Sequence, residues 1–74
     1  MKYKLWCCQR GCYYADDYIF SDLKNIKDTL IDYHNNDCDE NLLKKCDLSE
    51  LLEVYEWEVH NAKTEEFIYI KERK

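Results

Sequence analysis

The sequence predicts an α+β domain of order β(β)ααββ, a small antiparallel sheet with two short helices on one face. Three observations lead there. Apolar residues alternate near the start and again from Trp57, the pattern of half-buried strands. Between those runs, two segments carry apolar residues at helical spacing. Polar turn clusters, Asn35-Asn36-Asp37 and Asn61-Ala62-Lys63-Thr64, separate the elements.

Residues 2–8 read as the first strand, with Tyr3, Leu5 and Cys7 alternating against Lys2, Lys4 and Trp6. Gln9-Arg10-Gly11 holds the sole glycine and predicts a hairpin turn. The second arm, Cys12 to Phe20, is rich in strand-favouring Tyr13, Tyr14, Tyr18, Ile19 and Phe20, with Asp16-Asp17 as a potential interruption. Ser21 reads as a helix N-cap, with Asp22 well placed at the positive helix end. Leu23, Ile26, Leu30 and Tyr33 then form an amphipathic stripe, and Lys24 and Asp28 are spaced to pair on its outer face. Residues 38–46 have room for one short helical turn at Leu42-Leu43. Asp47 and Glu50 have capping-box spacing, and Leu48, Leu51, Leu52 and Tyr55 predict a second helix over 48–55. From Glu56 the period becomes two, and after the turn at 61–64 a last strand runs over 66–71.

Seventy-four residues permit one domain, 1–74, with a small core. Its composition, 46% hydrophobic and 36% charged, is that of a globular chain. The longest apolar runs, such as Phe67-Ile68-Tyr69-Ile70, are too short to span a bilayer, and the first residues lack a signal-peptide pattern. A cytoplasmic protein is the expectation. The five cysteines, odd in number, then read as reduced thiols rather than a disulfide framework. Nine Lys against two Arg, with abundant Asn, Ile, Tyr and Asp, is the bias of an AT-rich genome.

The net charge of −5 is unevenly spread. Residues 1–15 carry +3; residues 16–58 hold thirteen acidic against four basic side chains; residues 59–74 carry +1. An acidic band of this kind repels nucleic acid and favours basic protein surfaces. Candidate recognition residues are Asp28 and Asp32 on the first helix, Asp37, Asp39 and Glu40 after it, and Glu50 and Glu53 on the second. Carboxylates on rigid elements can imitate a phosphate backbone; a solvated face that maintains solubility is the plainer reading. Eleven aromatic residues exceed what so small a core can enclose, so Tyr13, Tyr14 and Tyr18 read as interface anchors or as core tyrosines with wet hydroxyls.

Catalytic chemistry finds little support. Cys8 and Cys12, like His34 and Cys38, have three intervening residues, a loose version of zinc-ligand spacing, while the adjacent Cys7 and Cys8 point to opposite faces of a strand. Cys8 and Cys12 flank Arg10, but there is no Cys-x-x-Cys and no βαβ setting for a reactive thiol. His34 and His60 read as solvated, His60 on an edge-like strand with Glu58 beside it, and neither has an evident nucleophile. One glycine cannot build a phosphate-cradling loop. The expectation is a non-enzyme with no cofactor and no metal.

Phe20-Ser21-Asp22-Leu23…Ile26-Lys27, followed by Leu51-Leu52…Tyr55-Glu56-Trp57-Glu58-Val59, resembles the small acidic accessory proteins of phages and mobile elements in low-GC bacteria. These include inhibitors of host defence, anti-CRISPR proteins among them. The resemblance covers most of the chain in style and length, and no functional residue is carried over from it. It implies a stoichiometric protein-binding inhibitor whose acidic, Tyr-rich surface opposes a nuclease or defence effector with a basic groove. The basic residues sit at the two ends with no long basic patch, so no direct nucleic-acid binding is expected, and the short apolar runs predict no membrane span. Two alternatives stand beside the inhibitor reading: a Cys/His metal-binding or thiol-dependent regulator, and a homodimerising accessory subunit.

Overall fold

A computed structural model describes residues 1–70 of the chain. The predicted α+β class and element order are present. Strands β1 (Tyr3–Cys7), β2 (Cys12–Tyr13), β3 (Trp57–Asn61) and β4 (Phe67–Ile68) form one antiparallel sheet of order β2-β1-β3-β4. Helices α1 (Leu23–His34), α2 (Glu40–Lys45) and α3 (Leu48–Val54) lie between β2 and β3 in sequence. The helical turn expected at Leu42-Leu43 is thus a helix of its own, started by Asp39, whose Oδ1 accepts from the Asn41 N–H at 2.7 Å.

The long ladder between β1 and β3 pairs Leu5 with Val59 and Cys7 with Trp57. Directly opposed residues share a face, so these four make the floor on which the helices pack. Leu5 and Val59 are fully buried there with Ile26 and Leu30 of α1, Leu43 of α2, and Leu48 and Leu51 of α3. The stripe on α1 is displaced from the predicted one. Ile31 and His34 are buried, while Tyr33 stays 43% exposed at the margin, its ring 5.4 Å from Trp57.

Local details depart from expectation for identifiable reasons. The N-cap of α1 is Asp22, not Ser21: its Oδ1 accepts from the Asn25 N–H at 2.8 Å, and a carboxylate makes the stronger charge-assisted cap. Lys24 and Asp28 form no ion pair among the described residues. The hairpin turns at Gly11, where φ is +66° and glycine carries no steric cost. Its second arm stops after Tyr13, because Ala15, Asp16 and Asp17 all adopt positive φ and coil the chain back on itself. The chain rejoins the sheet only at Phe20, which exchanges two backbone hydrogen bonds with Tyr3 at 2.9 and 2.8 Å. The capping box at α3 is present, with the Asp47 N–H donating to Glu50 Oε1 at 3.2 Å. The last expected strand is reduced to β4, and Lys71 lies outside the described residues.

His34 is buried, not solvated. Trp57 Nε1–H donates to its Nε2 at 3.1 Å, and its ring stacks on Tyr55 with centroids 3.7 Å apart. The ring proton therefore sits on Nδ1, which faces Asp37 at 3.8 Å. Burial lowers the pKa of His34 below 6.5, with Asp37 opposing. A His whose folded pKa is depressed contributes stability that is complete above the unfolded value and declines as pH falls through the folded one. Unfolding free energy measured from pH 7.5 downward should accordingly fall below about 6.5, and His34→Gln should flatten that slope; a slope identical in the variant would refute the assignment. A second expectation concerns Glu56, which follows α3 with φ +59°. Glu56→Gly should stabilise the fold by about 0.5–1 kcal/mol in denaturant titration, because this is the helix-terminating position at which glycine is preferred.

Candidate functional site

A cleft of about 670 Å³ lies between the loop leading to Phe20 and one side of α1. Tyr14, Tyr18 and Phe20 contribute from the loop, Asp28 and Asp32 from α1, and Glu40 from the start of α2. Five of the ten residues singled out from the sequence therefore meet here: Tyr14, Tyr18, Asp28, Asp32 and Glu40. The left-handed turn at 15–17 brings the tyrosines to the helix, since a straight β2 would have carried them along the sheet.

Within the cleft the residues differ in role. Tyr14 is half-buried, its ring within 6.4 Å of those of Phe20, Tyr33 and Trp57, and it is fixed by the core. Tyr18 packs its ring 4.9 Å from Phe20 yet remains 56% exposed. Asp28 and Asp32 are one helical turn apart on α1, and neither is hydrogen-bonded or ion-paired among the described residues. Like charges at that spacing cost a helix a few tenths of a kcal/mol. Glu40 is 3.8 Å from Lys44, the one basic side chain in the lining. Lys44 went unanticipated because α2 was read as no more than a turn.

The other acidic candidates are dispersed. Asp37 faces His34; Asp39 caps α2; Glu50 completes the capping box of α3. Glu53 lines a separate apolar groove between α3 and β4. The acidic band of the sequence is thus not one continuous face: part of it starts helices, and part of it lines the cleft.

Tyr13 belongs elsewhere, on the sheet face opposite the helices. Its hydroxyl lies 2.8 Å from His60 Nδ1, and His60 Nε2 lies 2.8 Å from Glu58 Oε1. His60 thus bridges the phenol and the carboxylate, one through each ring nitrogen. His60 is therefore not solvated; its side chain is 13% exposed. Nor is its strand an edge, for β3 lies between β1 and β4. Trp6 stacks on the His60 ring at 5.6 Å, and Lys4 binds Glu65 at 2.9 Å while sitting 4.9 Å from the centre of the Tyr13 ring. Strand alternation alone places Glu58 beside His60, whereas Tyr13 and Lys4 reach it only through the strand register.

This chain Tyr13–His60–Glu58 has the connectivity of a proton relay, but its phenol is not activated. Burial raises the Tyr13 pKa, reinforced by Glu65. The Cys8 thiol, beside Glu58, is also pushed up, first by burial and then by that carboxylate, the reverse of what a reactive thiolate needs. All five cysteines are free, and among the described residues no group of three or more His, Cys, Asp or Glu gathers to hold a metal ion. No described helix is long and apolar enough to cross a membrane. No protein-family profile, curated protein or solved structure matches this chain.

Removing the Tyr13 hydroxyl tests whether this network is structural. Tyr13→Phe leaves His60 Nδ1 without its hydrogen-bond partner, and thermal or denaturant unfolding should show a loss of about 1–2 kcal/mol. A stability within a few tenths of the parent would show that water replaces the phenol at no cost.

Proposed function

We propose that this protein binds a protein partner through the acidic, tyrosine-lined cleft, and that the partner presents basic side chains of a nucleic-acid-binding surface. The observation that carries this reading is the pair Asp28 and Asp32, two carboxylates without a partner among the described residues, held on one helix beside Tyr14 and Tyr18. Their mutual repulsion is a small standing cost to α1 that a bound cation would relieve. A guanidinium fits this setting well, since it can donate to carboxylates along its edge and stack a tyrosine ring on its face.

On this reading the chain is a stoichiometric inhibitor of the phage accessory kind. Its carboxylates stand where nucleic-acid phosphates would stand, and Tyr18 supplies stiff contact area at the rim. Such an interface associates quickly and weakens with added salt, because exposed charge pairs are screened over about 8 Å at physiological ionic strength.

The test is affinity capture from a low-GC bacterial lysate with the parent protein and with Asp28→Lys/Asp32→Lys. The parent should retain one or a few nucleic-acid-binding proteins, released by salt and displaced by duplex DNA. The double variant should lose them, by at least about a hundredfold in affinity if each contact is charge-assisted, while keeping its circular dichroism spectrum. Ser49→Lys/Glu53→Lys, on α3 away from the cleft, should leave capture intact. Retention of the same proteins by the Asp28/Asp32 variant would refute the cleft as the binding site.

A further inference from the structure

Cys7 and Cys12 stand directly opposite each other in the ladder between β1 and β2. Opposed residues share a face, so both thiols belong to the side of Leu5 and Trp57, away from Trp6 and Tyr13. In an antiparallel pair the opposed Cα atoms lie about 4.5 or 5.5 Å apart, according to whether the two residues exchange hydrogen bonds. Either separation falls within the range of about 4.4–6.8 Å that a disulfide spans. The Cβ atoms of such a pair are roughly 5 Å apart and need to close by about 1 Å to suit the bridge. β2 is a two-residue edge strand and has the freedom to make that movement.

The two thiols differ in access. Cys12 is exposed, whereas Cys7 is buried in the core. Both line a concavity of about 190 Å³, together with Arg10, Tyr14 and Trp57. Arg10 forms no ion pair among the described residues, and its charge at this mouth favours the approach of an anionic reagent. The other cysteines are placed differently. Cys8, next along the chain from Cys7, is turned to the opposite face beside Glu58. Cys38 and Cys46 lie before and after α2, where the Cys46 Sγ is 3.5 Å from the Leu42 carbonyl oxygen.

We propose that Cys7 and Cys12 are a reversible disulfide site, closed by exchange with a small anionic disulfide of the glutathione class. The exposed Cys12, as thiolate, attacks one sulfur of the reagent; the reagent's S–S bond breaks, and one thiolate leaves and takes up a proton. The Cys7 sulfur gives up its proton and attacks the Cys12 sulfur, breaking the bond from Cys12 to the reagent and releasing the second thiol. Two protein thiols are thus oxidised to one disulfide while the reagent is reduced to two thiols. Because the Cβ atoms must be drawn together, a dithiol reopens the bridge readily. The closed form staples β2 to β1 where two residue pairs alone hold it, and so anchors the start of the loop that carries Tyr14 and Tyr18. No Cys-x-x-Cys spacing marks the pair; strand register creates it. The site stands or falls independently of any partner of the acidic cleft.

The test is incubation of the folded, reduced protein with glutathione disulfide, followed by a thiol count, intact mass and tryptic mapping. The count should drop by two from the five free thiols, and the mass should fall by two hydrogens. Trypsin cleaves after Lys4, Arg10 and Lys24, so residues 5–10 should be recovered linked to residues 11–24. Dithiothreitol should restore the full thiol count. Cys8→Ser, at an exposed position, should form the same link, which assigns it to Cys7. Cys12→Ser, also at an exposed position, should show no loss of two hydrogens. An unchanged thiol count in the parent would overturn the proposal. So would a mixed disulfide that persists at Cys12 without linking, or disappearance of the link in Cys8→Ser.

Discussion

The pairing of β1 with β3 is the constraint on which the remainder of the structure depends. It joins residues near the start of the chain to residues fifty or more positions later, over five consecutive partners from Tyr3↔Asn61 to Cys7↔Trp57. Its register decides which side chains share a face. With Leu5 against Val59, the apolar set meets the helices; a slip of one residue would turn Lys4 or Trp6 inward and expose the floor of the core. Closing so long a loop costs entropy before any contact offsets it, so the three helices must be packed on the floor for the ladder to persist.

That register also creates an outer face with a character of its own. Lys4 and His60 are opposed, as are Trp6 and Glu58, and β2 sets Tyr13 beside Trp6. The result is a layer of aromatic rings whose polar tips satisfy one another: phenol to imidazole, imidazole to carboxylate, ammonium to Glu65. This explains how Lys4 is only 9% exposed on the sheet face that no helix covers. A sheet face without helices over it is here closed by its own side chains. On the helix side, His34 plays a comparable part between Trp57 and Tyr55, as a neutral acceptor. Each histidine is thus engaged at both ring nitrogens in the folded chain.

The cleft arises from a different element, the loop from Tyr14 to Phe20. Three successive residues of positive φ are unfavourable, more so for Ala15 than for the two aspartates, whose short polar side chains tolerate that region. The loop is held regardless, because Phe20 is buried and bonded to Tyr3 at one end and Tyr14 rests on Trp57 at the other. Its consequence is to lay two tyrosines against the acidic side of α1. The remaining carboxylates at Asp22, Asp39, Asp47 and Glu50 are consumed in starting helices, which is why total acidity overstated the extent of any recognition surface.

What the sequence alone determined is whatever depends on local periodicity and local hydrogen bonding. The period-two runs at 3–7 and 57–61, the helical stripe through Ile26 and Leu30, the capping box of Asp47 with Glu50, and the Asn61 turn are all legible, because neighbours along the chain settle them. Tertiary structure decided everything that needs two distant segments to meet. It chose Asp28, Asp32 and Glu40 from a band of thirteen acidic residues, joined Tyr13 to His60 through a register that composition does not encode, and cut short a second strand that propensity favoured. The physical reason is the same in each case. A side chain's partners on its own helix or strand follow from a fixed repeat, whereas its partners across the fold follow from how apolar faces close over one another, and that is a property of the whole chain.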